Sequence, residues 1–513
     1  MTRSPLFGLR RTVATATLAV AAPALLTLAL PAGAESVPTA HPSAATSPAS
    51  PDPSPTGTAP SGDPTGTSTP SPSAPSPSAT VSPSSSPSSA GTPTAEPGAV
   101  PSTEATTPTP DLTESSPAPA PAADEPAAQP EVAAAETPDQ RMHRALDNRV
   151  TTARFGTQFS GTVIDTASNK VVWSKRATTQ LMPASNAKLF TAAAALDTLG
   201  PDRTFPTYVR RGSRANHVVI VGGGDPLLTS RQLADMARST KAWLDSKGYV
   251  NPQVYVDTYF YPSPSLAYGW KSSYVPSSVT PVRPLVRDNR DLMDTGADAG
   301  KYFAAKLRYL GIPGARYRGR QNVTSSRAVI ASTLSVPVRK MVQRMVLTSD
   351  NDVAEILLRR TSYGMRNGTR WTGAKATQTE AAQNLGLPFG TLYDGSGLSR
   401  ADRLSSLQIA RLLDLVQDRT NPDLRVLAST NVVPTAGRTG TLKNRFTSSA
   451  ADCAVGEVWA KTGTLGDAVS LSGWTRGADG RRKVFSFVVN GKDSSSTLKS
   501  NVDMLAATVN GCY

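Results

Sequence analysis

Leu181-Met182-Pro183-Ala184-Ser185-Asn186-Ala187-Lys188-Leu189-Phe190-Thr191-Ala192-Ala193-Ala194-Ala195-Leu196 is the stretch on which the reading of this chain turns. Its second half is alanine and large apolar residues, strong helix formers with no polar face, so it reads as a buried helix. Ser185 stands at the N-terminal end of that helix, and Lys188 follows three residues later. Residues at i and i+3 share a helix face, which brings the Lys188 amine within reach of the Ser185 hydroxyl. A serine hydroxyl is a poor nucleophile until a base takes its proton. A lysine is that base only when burial or a neighbouring cation lowers its pKa. The helix N-terminus favours negative charge developing at Ser185, and backbone N–H groups there form half of an oxyanion hole.

Two further triplets follow in order, Ser349-Asp350-Asn351 and Lys461-Thr462-Gly463. Each alone is commonplace. Together with Ser185-x-x-Lys188 they resemble the set found in penicillin-binding proteins and class A β-lactamases. Lys461 is placed to supply the cation, and the strand edge after it to supply the other half of the oxyanion hole, from Thr464. The only histidines are His41, His143 and His217, in the N-terminal region, the first helix and the middle of the chain. None neighbours a nucleophile elbow, so a histidine triad is not expected. With so few His and Cys, neither a zinc site nor any other cofactor is expected.

Around these motifs the chain alternates. A helix begins at Thr137-Pro138-Asp139, with proline in the first turn. Strands are expected near 159–165 and 170–174, then 458–461, 470–476 and 483–490, with a closing helix over 496–508. A helical stretch over 336–363 is interrupted near Thr348-Ser349-Asp350-Asn351. Strands at both ends with helices between imply one α+β domain whose terminal segments share a sheet. The middle differs: short strand candidates at 217–221 and 253–257 are punctuated by Gly and Pro. We therefore divide the chain into a catalytic part, residues 137–202 and 298–513, and an inserted β-rich module, residues 203–297.

The first quarter reads as unfolded. Arg3, Arg10 and Arg11 precede an apolar run to Leu30 and the small residues Ala32-Gly33-Ala34, a signal peptide over residues 1–34. Residues 35–136 are Pro, Ser, Thr and Ala almost throughout, a disordered tether with too little apolar surface to offset its ordering entropy. No later run reaches the ~18 apolar residues of a membrane span. Three of the 53 Lys and Arg, and 11 of the 39 Asp and Glu, precede residue 137, which leaves 50 against 28, a net of +22. Such a domain is drawn to polyanions. Export makes anionic wall polymers the better candidate, and no nucleic-acid motif is present. Cys453 and Cys512 are the only cysteines. In an exported protein an even pair points to a disulfide, with two buried thiols as the alternative.

From residue 156 to residue 490 the sequence resembles the low-molecular-mass, class C penicillin-binding proteins, the D-Ala-D-Ala carboxypeptidase/endopeptidases. The likeness rests on the Leu181–Lys188 stretch, Gly223-Gly224-Asp225-Pro226, Val256-Asp257-Thr258-Tyr259-Phe260, Asp394-Gly395-Ser396-Gly397-Leu398-Ser399-Arg400, Ala436-Gly437-Arg438-Thr439-Gly440-Thr441-Leu442 and Ala460-Lys461-Thr462-Gly463-Thr464. It implies a penicillin-binding-protein/serine β-lactamase-like transpeptidase fold, an antiparallel sheet flanked by helices with an all-helical part. It implies an exported, wall-associated hydrolase of peptidoglycan stem peptides, acylated by β-lactam antibiotics. Ser185 would be the nucleophile, Lys188 the base, Ser349 and Asn351 a proton relay and amide holder. Lys461, Thr462, Gly463 and Thr464 would receive the terminal carboxylate and complete the oxyanion hole. Asp257 and Arg400 hold the positions that read the diamino acid of the stem. Asp402 departs from the Asn that relatives often carry two residues after the Arg400 position. The competing readings are a serine β-lactamase, for which Glu380 is the nearest deacylating acid, and a non-catalytic wall-binding protein.

Overall fold

The computed structural model describes residues 135–418 and 420–513. The expected signal peptide, and all but the last two residues of the expected tether, lie outside the described residues. Among those described, no helix is long and apolar enough to cross a membrane.

Strands β1 (Gln158–Asp165) and β2 (Lys170–Lys175) pair with three from the far end of the chain, β8 (Val458–Leu465), β9 (Ala468–Arg476) and β10 (Arg482–Asn490). The antiparallel order is β2-β1-β10-β9-β8, so the two chain ends share one sheet, as expected. Period-two alternation explains why β10 is buried on both faces. Val484 and Val488 face the helical half of the domain with Ile409 and Leu413 of the helix Ser406–Gln417. Phe485, Phe487 and Val489 face the other way, onto Met142 and Leu146 of the helix Pro138–Arg149 and Val502 and Leu505 of the helix Ser496–Asn510. Cys453 and Cys512 are joined in a disulfide, with Cα atoms 6.3 Å apart.

The helix Ala187–Leu199 is buried from Ala187 to Leu196, as its all-round apolar sequence requires. It is packed by the helices Val338–Thr348, Asn351–Gly364 and Trp371–Asn384. The expected interruption at Ser349 is present. Ser349 has φ 61°, in the left-handed region, and the Asp350 side chain then caps the next helix at Val353 N, 3.1 Å away.

The inserted module departs from the expected boundaries and composition. Its sheet takes β3 (Pro206–Arg211), β4 (His217–Val221) and β5 (Gln253–Asp257), but also β6 (Arg316–Arg320) and β7 (Val329–Leu334), beyond residue 297. The order is β6-β5-β4-β3-β7, and β4, β5 and β6 run parallel. Parallel neighbours need crossovers, here the helices Ser230–Ser246 and Thr295–Tyr309. Both helices pack on the sheet, Leu233 and Phe303 against Val254 and Val256. The module is therefore α/β rather than β-rich. Strand β6 escaped notice because it is an edge strand, Arg-Tyr-Arg-Gly-Arg, with its arginines exposed.

Between β5 and the helix Thr295–Tyr309 the chain returns to the catalytic part. The Tyr261 hydroxyl donates to Ile356 O at 3.2 Å, and Trp270 Nε1 to Asp394 Oδ2 at 2.6 Å. The Thr280 N–H donates to Asp352 Oδ1 at 2.8 Å. This strap walls one side of the site.

Candidate active site

Ser185 lies in a short 3-10 turn, Ala184–Asn186, that leads directly into the helix Ala187–Leu199. Lys188 is fully buried, and its Nζ donates to Ser185 Oγ at 3.0 Å, Asn351 Oδ1 at 2.6 Å and Ser396 O at 2.7 Å. Burial pushes the amine down to about 8, against the carboxylates of Asp394, Glu355, Asp350 and Asp352, which pull it up. About a tenth of the amine is then neutral at pH 7, far more than for an ordinary lysine, and this suits a base. Two glycines clear the space around the nucleophile. A Cβ on Gly397, at φ 78°, would meet Ala184 O at 1.9 Å. One on Gly463 would meet Pro183 O at 2.7 Å and Ala184 Cβ at 3.1 Å.

The other two triplets converge on the same place. Lys461, on β8, is fully buried and donates to Ser349 Oγ at 2.9 Å and Thr462 O at 2.6 Å. Burial, and then the charge of Lys188, hold Lys461 well below the usual lysine range. The neighbouring-cation effect expected at Lys188 thus acts mainly in the reverse direction, from Lys188 on Lys461. Asn351 opens the helix Asn351–Gly364, with Nδ2 donating to Ser278 O at 2.7 Å. The Thr462 hydroxyl meets that of Thr441 at 2.7 Å. Strand β8 is an edge, and the Ala460 N–H leaves it for Pro434 O at 3.0 Å. By alternation, Thr462 and Thr464 direct their own N–H groups along that edge. Thr464 is exposed.

Behind Lys188, a loop of buried polar groups holds the Ser396 carbonyl in place. Asp394 accepts from Gly397 N and Ser399 N at 2.8 Å each. Glu355 accepts from Gly395 N at 3.0 Å and Ser396 N at 2.7 Å. Burial and the Asp394 charge push Glu355 up to about 8.

The model of the D-Ala-D-Ala carboxypeptidase 3 (S13) family matches residues 142–289 and 275–509, a span holding all three triplets. The chain belongs to that family. Among curated relatives of this S13 carboxypeptidase is "Carboxypeptidase DacB" of Mycolicibacterium smegmatis, 28% identical over 380 residues, covering 69% of this chain and 80% of the relative. Another is the "D-alanyl-D-alanine carboxypeptidase" of an Actinomadura species, 27% identical over 429 residues, covering 66% and 78%. The crystal structure of penicillin binding protein 4 from Haemophilus influenzae shares the fold, with TM-score 0.60 at 20% identity, covering 71% of this chain and 97% of that one.

Two expected site residues of the S13 enzyme are not brought together. Both carboxylate oxygens of Asp257 are taken by backbone within the module. Oδ1 accepts from Tyr259 N at 3.0 Å and Oδ2 from Val323 N at 2.9 Å. Arg400 instead grips Asp467, 2.7 Å to each oxygen. No described contact joins Asp257 to Arg400. Asp467 sits between β8 and β9, two residues beyond Leu465, and no motif marked it. Ser278 and Glu355 were missed, the one reaching the site through its backbone carbonyl and the other through its carboxylate on the Gly395 and Ser396 amides; Thr441 lay within the quoted Ala436–Leu442 stretch with no role assigned. Glu380 accepts from Asn367 Nδ2 at 2.8 Å.

The described residues hold one cluster of carboxylates with metal-ligand proximity: Asp139, Asp165 and Asp479. Lys483 Nζ lies among them, at 2.8, 2.6 and 2.9 Å. An ammonium already supplies the positive charge there, so no metal is called for.

Proposed function

We propose that this serine-type carboxypeptidase cleaves D-Ala-D-Ala stems of peptidoglycan outside the cell, through an acyl-enzyme on Ser185. The observation that carries the reading is the buried Lys188 amine 3.0 Å from Ser185 Oγ. Neutral Lys188 takes the hydroxyl proton as Oγ attacks the carbonyl carbon of the penultimate D-Ala. The N–H groups of Ser185 and Thr464 stabilise the oxyanion. The C–N bond then breaks, and the proton passes to the leaving amine through Ser349. Water, deprotonated by the same base, releases the acyl group.

Lys461 has a second part in this sequence. The arriving terminal carboxylate favours the charged form of Lys461. A charged Lys461 in turn disfavours charge on Lys188, so substrate binding itself favours the base form. Thr462 and the backbone at Gly463 complete the carboxylate site, and Asn351 holds the substrate amide. A β-lactam presents a carboxylate and a strained amide in the same arrangement, and acylates Ser185. The same chemistry serves endopeptidase cleavage of cross-links.

For the side chain of the stem, Arg400 and Asp467 form the acid–base pair that a zwitterionic diamino acid requires. The guanidinium suits its carboxylate and Asp467 its ammonium. The net +22 of residues 137–513 suits retention at anionic wall polymers. The β-lactamase reading has less to recommend it, since the Glu380 carboxylate is held by Asn367. The test is D-Ala release from an acyl-D-Ala-D-Ala peptide. Ser185→Ala and Lys188→Ala should each abolish it, and release by Ser185→Ala at the wild-type rate would refute the reading.

A further inference from the structure

The loop behind Lys188 contains one buried acid with no part in the reaction. Asp402 is fully buried, and its N–H donates to Ser399 O at 3.3 Å. Its Oδ1 accepts the Tyr393 N–H at 2.8 Å. Its Oδ2 is sealed from solvent with no N–H or hydroxyl donor in reach. The side chain meets the carboxylate of Asp394.

The two acids are unequally supplied with donors. Asp394 collects Gly397 N on Oδ1, and Trp270 Nε1, Ser399 N and Ser396 Oγ on Oδ2, at 2.6 to 3.3 Å. Such a set of donors stabilises an ionised carboxylate, whereas Asp402 has a single amide. Two adjacent buried carboxylates do not both carry charge without great cost. One proton therefore lies between them, and it belongs to the partner with fewer donors.

The charged surroundings agree. Glu355 faces Asp394 from the helix Asn351–Gly364, and Lys188 from the helix Ala187–Leu199. Arg359 lies beside Glu355. Arg403 Nη1 donates to the backbone carbonyls of Arg400 and Asp402, not to the carboxyl. Burial, with the charge of Asp394, holds the Asp402 carboxyl well above the ordinary range.

We propose that Asp402 works as a neutral hydrogen-bond donor to Asp394, and so positions the Ser396 carbonyl against Lys188. Asp402 touches neither substrate nor reacting atoms; it is a positioning residue. The path is short: Asp402 shields Asp394, Asp394 shapes the turn at Gly397 and Ser399, and that turn presents Ser396 O to Lys188 Nζ at 2.7 Å. Loss of that proton as pH rises leaves two buried anions, which repel across the loop and move the carbonyl from the amine. An amide side chain would donate without being able to ionise.

This inference rests on Lys188 as the base for Ser185. The experiment is to compare Asp402→Asn and Asp402→Ala in the full chain, by penicillin acylation rate against pH and by infrared difference spectroscopy. Asp402→Asn should acylate within threefold of wild type at pH 7 and keep its rate further into the alkaline range. Asp402→Ala should acylate at least tenfold more slowly. The wild-type minus Asp402→Asn spectrum should show the C=O band of a protonated carboxylic acid at neutral pH. If Asp402→Ala does not fold, Asp402→Asn and the spectrum decide. Absence of that band, an unchanged alkaline limb, or Asp402→Asn as slow as a folded Asp402→Ala would overturn the proposal. A Lys188→Ala protein that acylates normally, with the band present, would sink the base assignment instead.

Discussion

Arg400 and Asp467 face each other as a bidentate pair, 2.7 Å across each arm, between the Asp394–Arg400 loop and the turn that follows the substrate-side edge strand β8. The pair is about one-third exposed on each side, so its own contribution to stability is small. In the proposed function this pair reads the diamino acid of the stem. Arg400→Ala and Asp467→Ala should each lower kcat/KM about tenfold or more on a diaminopimelate-bearing peptide, equivalent to about 1.4 kcal/mol. A minimal acyl-D-Ala-D-Ala peptide and penicillin should react as before. Equal losses on both substrate types would assign the pair to the fold.

Asp257 should behave differently. Its carboxylate accepts from two part-buried amides, Tyr259 N and Val323 N, where the chain leaves β5 and where it leaves β6. Asp257→Ala removes both bonds, at about 0.5–1.5 kcal/mol each. The expected result is a lower Tm with little discrimination between substrates. A specificity change at unaltered Tm would return Asp257 to the substrate site.

These two residues show what a sequence alone discloses. Ser185 and Lys188 were legible because both lie on one helix, where spacing is geometry. The shared sheet was legible because strand-like runs stand at both ends of the sequence with helices between. The acid beside Arg400 was not legible, since 67 residues separate Arg400 from Asp467 and only the folded chain joins them. The end of the module was not legible either. Strand β6 shows arginine at alternate positions, and the helix Thr295–Tyr309 looks the same whether it packs on one domain or the other. The pairing of Cys453 with Cys512 was open in sequence and is made in the structure.

Lys483 and its three carboxylates tie the first helix to the central sheet. Burial raises the Asp165 and Asp479 carboxyls, but bonding to Lys483 reverses this and leaves both below the usual range. Burial lowers Lys483, and its bonds to Asp139, Asp165 and Asp479 more than offset this. Depressed carboxyls give stability that is present above pH ~4 and lost as pH falls through their folded values; the raised lysine gives stability lost only above pH ~10.5. Lys483→Met should lower stability at pH 7, with Arg481 still paired to all three acids, and lessen the loss of stability as pH falls through the carboxyl range. EDTA should change neither Tm nor activity of the wild type. A Tm drop with EDTA would mean that a metal, not Lys483, holds the cluster.

The rate should follow Lys188. Only its neutral form accepts the Ser185 proton, so the acylation rate should rise with pH through about 8 and fall off below it. A stopped-flow pH profile of acylation in the substrate-free enzyme reads this directly. A flat profile from pH 6 to 9 would contradict a lysine base.

The disulfide closes a loop with 59 residues of separation. In the chain-entropy model that is worth about 4 kcal/mol. Cys512→Ser should lower Tm by several degrees, and the denatured, unreduced protein should titrate no free thiol. Two titratable thiols would refute the bridge.

Intact-protein mass after benzylpenicillin reads whether Ser185 is the acylated nucleophile. Wild type should gain one penicilloyl group per chain and hold it for many minutes, while Ser185→Ala, melting as wild type does, should gain none. An adduct on Ser185→Ala, or a wild-type protein that stays unlabelled at saturating drug without consuming it, would contradict the account.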